Sequence, residues 1–572
     1  MQLFEVSMCK KFLFVLLTLW VGQAFGAVYY VAVDGNDSNM GSKDKPFATL
    51  KKANVVVNAG DTVWIRGGVY EMHDTTYCER ARMSAGVLLT TSGESDDKRI
   101  HYFAYPGERP IFDGTKLLIG QALDKTNSST DLEYTAGILI YASYLHLKGI
   151  EVRNVPMKYN SNSGVYVTRC RHVILEQMES HHNAGPGFFV NEGGTEPGGG
   201  HYFLNCDAHD NYDPDGRQGD GENADGFGVH YQEPGFGDTT KFYGCRAWWN
   251  SDDGFDFINQ EFPVVMENSY AMGNGYSDYG TQKPPSGNGY GIKMGESKTG
   301  KGHHLIKYCV AWKNRASGFY ANYTSAGSKW LNNTSYQNED RSFNMASKTY
   351  DSEGRETADV APLTGDNAHV LKNNIAYPNT LSQIGECWFK SATVDEKVEC
   401  AAGENNTWNL KLDLTESDFL SLDDPSMTVT GQDLSKIAGM LGPRKADGSL
   451  PDVDFLKLKE GSRAIDKGED LGFPYAGAAS DLGAFEYGLP VSSSSIAGMS
   501  SSGTTSIANN LGYSVETSTS ASVFDMQGRY LGSFQVELLH GGNIVDALQA
   551  KFKNPGAYLV RYEHKTQRVN VK

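Results

Sequence analysis

Cys245-Arg246-Ala247-Trp248-Trp249-Asn250 is one copy of a frame that returns through the middle of the chain. Before it stand Ile150-Glu151-Val152-Arg153-Asn154, Glu179-Ser180-His181-His182-Asn183 and Cys206-Asp207-Ala208-His209-Asp210-Asn211. After it come Ser269-Tyr270-Ala271-Met272-Gly273-Asn274 and Cys309-Val310-Ala311-Trp312-Lys313-Asn314, with weaker copies ending at Asn338 and Asn379. Successive Asn positions lie 29, 28, 39, 24, 40, 24 and 41 residues apart. Short strands repeating every two to three dozen residues describe a solenoid, in which each unit buries its apolar face only against its neighbours. The recurrent Asn suits a turn, because Asn tolerates left-handed backbone and can hydrogen-bond to its equivalent in the next coil. No segment holds apolar residues at helical spacing over three turns, so helical repeats are disfavoured. A β-propeller is the alternative, but strands this short with one Asn per unit fit coils better. The expected fold is all-β, a solenoid of stacked coils with a small C-terminal β-sandwich-like module.

Working outward, residues 1–26 read as a signal peptide. Lys10 and Lys11 precede the apolar run Phe12 to Val21, and Ala24-Phe25-Gly26 offers small residues for cleavage before Ala27. Met8 serves equally well as a start. The run is too short to span a bilayer, and no other stretch could, so an exported protein without a membrane span is expected. Pro46-Phe47-Ala48-Thr49-Leu50 leads into a short helix. With the strand-like residues around it, this resembles the entry segment of many secreted right-handed parallel β-helix proteins. The β-helix domain is expected to cover 27–488, followed by a Ser-rich linker (489–512) and a β-rich module (513–572). Val523 to Arg529 and Pro555 to Arg561 resemble the C-terminal sorting domains of secreted bacterial enzymes, which implies attachment to a secretion machinery or the cell surface.

The net charge of -18 argues against a nucleic-acid partner. It also disfavours a polyanion, unless the site supplies positive charge of its own. Of the 8 cysteines, Cys9 falls in the signal peptide. Cys170, Cys206, Cys245 and Cys309 recur within the repeat and read as small buried side chains stacked coil on coil. Cys387 and Cys400 are the expected disulfide.

The chemistry concentrates between Asn223 and Gly295. Several coils carry a Gly-aromatic step: Gly187-Phe188, Gly254-Phe255, Gly289-Tyr290 and Gly318-Phe319. With that step as a ruler, Asp225 and Asp253 occupy equivalent places and become neighbours about 4.8 Å apart. Asp252 takes the place of Gly185 and Ala316, and Asp256 that of Tyr320. Four adjacent carboxylates would repel one another without a cation, and hard oxygen donors suit Ca²⁺. Measured from Gly289, Lys293 falls one coil across and two residues along from Asp256, at a Cα separation of about 8 Å. A cation on the carboxylates would favour its neutral, basic form. The long Asn intervals place extra loops at 212–222 and 275–286, as walls of a cleft. Arg315 is a candidate for a substrate carboxylate; His181, His182 and His209 are candidates for orienting substrate. Trp248 and Trp249 could stack on sugars, one of them instead packing in the core. No catalytic acid is evident.

Asn205 to Pro214, Asn223 to Phe227, Asn250 to Asp256 and Gly289 to Lys293 resemble polysaccharide lyase family nine, the pectate lyases of that group. The resemblance implies a right-handed parallel β-helix, one Ca²⁺ held by Asp225, Asp252, Asp253 and Asp256, and Lys293 as the proton-abstracting base. It also implies a secreted monomer acting by β-elimination on polygalacturonate. The loop from Tyr231 to Thr239 and Gly291 depart from the family's pattern. A hydrolase using Asp252 and Asp253, and a non-catalytic adhesin, are the rival readings.

Overall fold

A computed structural model describes residues 26–118, 134–157, 162–192, 198–216, 219–232, 237–295, 301–347, 349–350, 356–358, 363, 365–378, 387–391, 394–398, 401–424, 439–489, 518–524, 530–537, 556–562 and 565–571. Residues 1–25, most of the Ser-rich stretch, Asn379 and Cys400 lie outside these, as does the side chain of Cys387. Among the described residues, no helix is long and apolar enough to cross a membrane.

The chain winds into a parallel β-helix of three sheets with twelve, ten and ten strands. Each coil from Ile100–Ala104 to Phe343–Asn344 gives one strand to each sheet. Tyr202–Leu204 joins the first sheet, Asp207–His209 the second and Phe227–His230 the third, before Thr240–Tyr243 returns to the first. Pairing within the three sheets is parallel except where Thr76–Cys78 meets Met83–Leu89. Thr49 caps the only α-helix among the described residues, Leu50–Val56, by accepting from the Lys52 N–H. Its Leu50 and Ala53 close the open end of the core.

Alternation along each strand fills the interior with ladders of like residues, since a period of two sends every second side chain inward. Phe188, Phe227 and Phe255 stack with ring centroids 5.0 and 4.9 Å apart. Ala208, Ala247, Ala271 and Ala311 line the facing wall and are all fully buried. The corner between second and third sheets carries the Asn ladder. The Asn183 N–H donates to Asn211 Oδ1 at 3.1 Å, and the pattern continues through Asn250, Asn274, Asn314 and Asn338. The ladder Asn are not themselves left-handed. The residue before each takes positive φ instead: His182 (54°), Asp210 (51°), Trp249 (52°), Gly273 (57°), Lys313 (52°) and Gln337 (48°). Asn earns its place as a side chain that accepts from one coil while donating to the next. Asn154 sits one residue out of frame, at the left-handed position; Val155 holds the ladder place and donates to Asn183.

Cys206, Cys245 and Cys309 do stack, at the corner between first and second sheets, where Ser269, Asn333 and Asn374 hold the same place. Cys170 belongs to a different corner, between the third sheet and the first. All four are buried and free.

One expectation is corrected. The coil stops at Ala401–Glu404, not near Gly488. The segment to residue 489 runs back along the outside of the second sheet. There Met440, Leu441, Phe455 and Phe485 pack on Trp248, Met272, Trp312 and Tyr336. Arg444 and Arg246 share the buried Asp207, which holds its carboxylate well below the usual range against the effect of burial. In the C-terminal region the described residues make one four-stranded antiparallel sheet.

Candidate active site and cation site

The third sheet positions the acidic residues. Phe227–His230, Phe255–Phe257 and Ile292–Met294 are consecutive strands, with Phe227 opposite Phe255 and Phe255 opposite Ile292. Asp225 and Asp253 each stand two residues before these register phenylalanines, and the Asp253 N–H donates to Asp225 Oδ1 at 3.2 Å. Asp252 lies one residue earlier, with Oδ1 accepting from the backbone and side chain of Asn288 at 2.7 and 3.0 Å. Asp225, Asp252 and Asp253 each bring a carboxylate oxygen within 4.8 Å of the others. All are buried.

Lys293 departs from its expected place. Its coil aligns through Gly291, whose carbonyl accepts from the Phe255 N–H; Gly289 falls opposite Ala316. The Gly289-Tyr290 step was therefore the wrong ruler, and Lys293 stands directly opposite Asp256 in the parallel register. Its Nζ lies 2.9 Å from Asp253 Oδ2 and 3.0 Å from Asp256 Oδ2. Gly289 is needed for another reason: φ is +81°, and a Cβ there would meet Arg315 and the Gly275 backbone at 2.7 Å.

Burial raises the carboxyls of Asp225 and Asp252 well above their ordinary value, and neighbouring carboxylates raise them further. Asp253 is pushed up to about 6, chiefly by burial. Burial acts to lower the Lys293 ammonium, but Asp253, Asp256, Asp252 and Asp225 outweigh it and hold the amine charged. Four carboxylates around one ammonium leave an excess of buried negative charge, which a divalent cation would neutralise. Asp256 Oδ1 is buried without a hydrogen-bond partner, as an oxygen left for such an ion would be. The donor set therefore fits a hard cation.

The weaker candidates do not join this group. His209 is fully buried on the second sheet, stacked between His181 at 4.7 Å and Trp248 at 4.2 Å. Burial opposes its charge, yet Asp210 and Glu179, at 2.7 and 3.0 Å, push it up to about 9. His181 bonds Glu151 and His182, and His182 bonds Tyr279 in the 275–286 loop. All six ring nitrogens of this trio are engaged. Trp248 and Trp249 are both buried, Trp249 beneath Gly280 of the same loop, so neither faces a sugar. Arg315 donates to the Pro284 and Gly275 carbonyls and anchors that loop. The 212–222 loop meets it where the Ser286 N–H donates to Asp220 O at 3.0 Å.

Sequence reasoning missed His230, which ends the strand after Asp225. Its Nε2 is 3.6 Å from Asp256 Oδ2. It also missed Tyr290 and Tyr320, stacked at 4.2 Å beside Lys293, where only the register could have shown the proximity.

Residues 29–374 match a family described as "Pel9A-like, right handed beta helix region". The chain belongs to that family. It is similar to pectate lyase L of Dickeya dadantii (strain 3937), 30% identical over 460 residues, covering 80% of this chain and 90% of the relative. The crystal structure of pectate lyase Pel9A superposes with a TM-score of 0.60 at 30% identity, over 80% of this chain and 96% of the other. A rhamnogalacturonan lyase structure gives a TM-score of 0.61 at 29% identity, over 76% and 97%.

Proposed function

We propose that this polysaccharide lyase is an exported, Ca²⁺-dependent pectate lyase that cleaves α-1,4-galacturonan by β-elimination. The observation that carries the reading is the register of Lys293 opposite Asp256, with Asp225, Asp252 and Asp253 gathered beside them. Its relatives named as pectate lyases support the substrate.

Asp225, Asp252, Asp253 and Asp256 would hold the ion. Bound Ca²⁺ supplies charge that offsets the uronate carboxylate and the negative charge developing next to it. Lys293 takes the proton from C5 of the uronate. The C–H electron pair becomes the C4–C5 double bond, and the C4–O bond breaks with its pair leaving on oxygen. Solvent water returns a proton to that oxygen. An ammonium cannot accept a proton, so Lys293 must first lose the hold of Asp253 and Asp256. Once those carboxylates are neutralised, burial remains as the dominant influence and favours the uncharged amine. Tyr290 and Tyr320 offer an aromatic wall next to the amine.

The similarity to a rhamnogalacturonan lyase makes that backbone the second reading. Both substrates should be offered to the purified protein, with ultraviolet absorbance read for the conjugated unsaturated uronate. Absorbance on polygalacturonate, lost with chelator and restored by Ca²⁺, is expected. Absorbance on rhamnogalacturonan alone would move the substrate to the second reading. New reducing ends without absorbance would mean hydrolysis, and neither product would mean a binding protein.

A further inference from the structure

His230 ends the strand that begins two residues after Asp225, and its ring points outward into the carboxylate group rather than into the core. It is buried, and its ring packs edge-on against Phe189 with centroids 4.7 Å apart. Nε2 makes no hydrogen bond, although it lies 3.6 Å from Asp256 Oδ2. Asp256 Oδ1 is likewise buried and unpartnered. One donor atom each from Asp225, His230 and Asp256 falls within 4.8 Å of the other two. Leaving such atoms unpaired is costly, and a shared ligand would relieve both.

We propose that His230 is a metal ligand, giving one end of the carboxylate cluster a mixed nitrogen and oxygen site, with Asp225 and Asp256, for a borderline divalent cation of the Ni²⁺ or Zn²⁺ class. The rest of the cluster offers oxygen alone, and imidazole adds little for Ca²⁺ but much for later first-row ions. The histidine trio on the second sheet is also close enough to gather on an ion, but each of its ring nitrogens already faces a carboxylate, a tyrosine or another ring, whereas His230 Nε2 faces none within hydrogen-bond distance. Asp225 and Asp256 belong to both donor sets, so an ion bound through His230 competes with Ca²⁺ for them. The inference rests on reading the carboxylates as a cation site, and the two are separable by measuring both ions.

The full chain, stripped of metal, is titrated calorimetrically with Ni²⁺ and separately with Ca²⁺. His230→Phe, which keeps a ring against Phe189, and His230→Gln are compared with wild type. Ni²⁺ affinity should fall at least tenfold in both variants while Ca²⁺ affinity changes by less than about twofold. Pulsed electron paramagnetic resonance of Cu²⁺ at one equivalent should show imidazole nitrogen in wild type and lose it in the variants. Unchanged Ni²⁺ affinity in either folded variant, or equal losses for both ions, overturns the proposal. Loss of Ni²⁺ affinity in a protein that takes no Ca²⁺ would uphold His230 and refute the Ca²⁺ reading instead.

Discussion

Lys293→Met tests the electrostatic logic of the site directly. The substitution keeps much of the side chain's length but removes an ammonium held 2.9 and 3.0 Å from two buried carboxylates. Removing one partner of a buried ion pair costs about 3–5 kcal/mol, because the other charge is left uncompensated. Protonation softens the blow. Asp253 is already pushed up to about 6 and can neutralise, so the lower end, about 3 kcal/mol near pH 8, is expected. With Ca²⁺ bound, the ion carries the compensation and the loss should shrink below about 1 kcal/mol. Linkage then requires the variant to bind Ca²⁺ more tightly by the difference, which at 1.4 kcal/mol per decade is roughly thirtyfold or more. Urea unfolding in chelator and in excess Ca²⁺, with calorimetric Ca²⁺ titration, measures both quantities. Turnover should fall by about 10²–10⁴, the usual effect of losing a positioned base. Equal destabilisation with and without Ca²⁺, together with unchanged Ca²⁺ affinity, would show that the ion and the lysine do not share these carboxylates.

Asn250→Ala deletes donations to Asn274 Oδ1 and the Ala208 carbonyl and leaves the Asn211 donors unmatched, so unfolding should require about 2–3 kcal/mol less; circular dichroism during urea unfolding would register it. His209 has a folded value of about 9, above its unfolded 6.5, so its contribution is full below pH 6.5 and fades as pH rises through about 9. Its partner Glu179 is held at about 2, so that contribution is full above pH 4.5 and fades as pH falls toward 2. Melting curves of wild type and His209→Gln should accordingly differ most between those limits and converge at alkaline pH. Truncation after Leu489 keeps the outer strap and removes the C-terminal sheet; specific activity on soluble pectate should stay within about twofold, and a large loss in the purified fragment would assign the tail a catalytic part.

The repeat of Asn at the ends of short strands was enough to read a coil, because stacked turns impose the same side chain at the same corner. The acidic cluster was legible for the same reason. Asp225 and Asp253 share an offset from Gly-Phe, and equal offsets become neighbours once coils stack. Lys293 exposed the limit of that reasoning. Gly289 and Gly291 are both possible rulers in the linear sequence, and only strand pairing selects Gly291. A one-dimensional frame also cannot tell which side chains an insertion will cover. Trp248, Trp249, His182 and His209 sit at outward or corner positions, where the sequence reads them as available. The 275–286 loop covers Trp249 and His182 and the strap ending at residue 489 covers Trp248, because apolar outer faces of the second sheet must be shielded from water, and His209 is buried in turn by stacking between Trp248 and His181. His230 shows the converse. Nothing in its local sequence marks it, since its nearness to Asp256 comes from parallel strands laid side by side, a relation that only the tertiary structure creates.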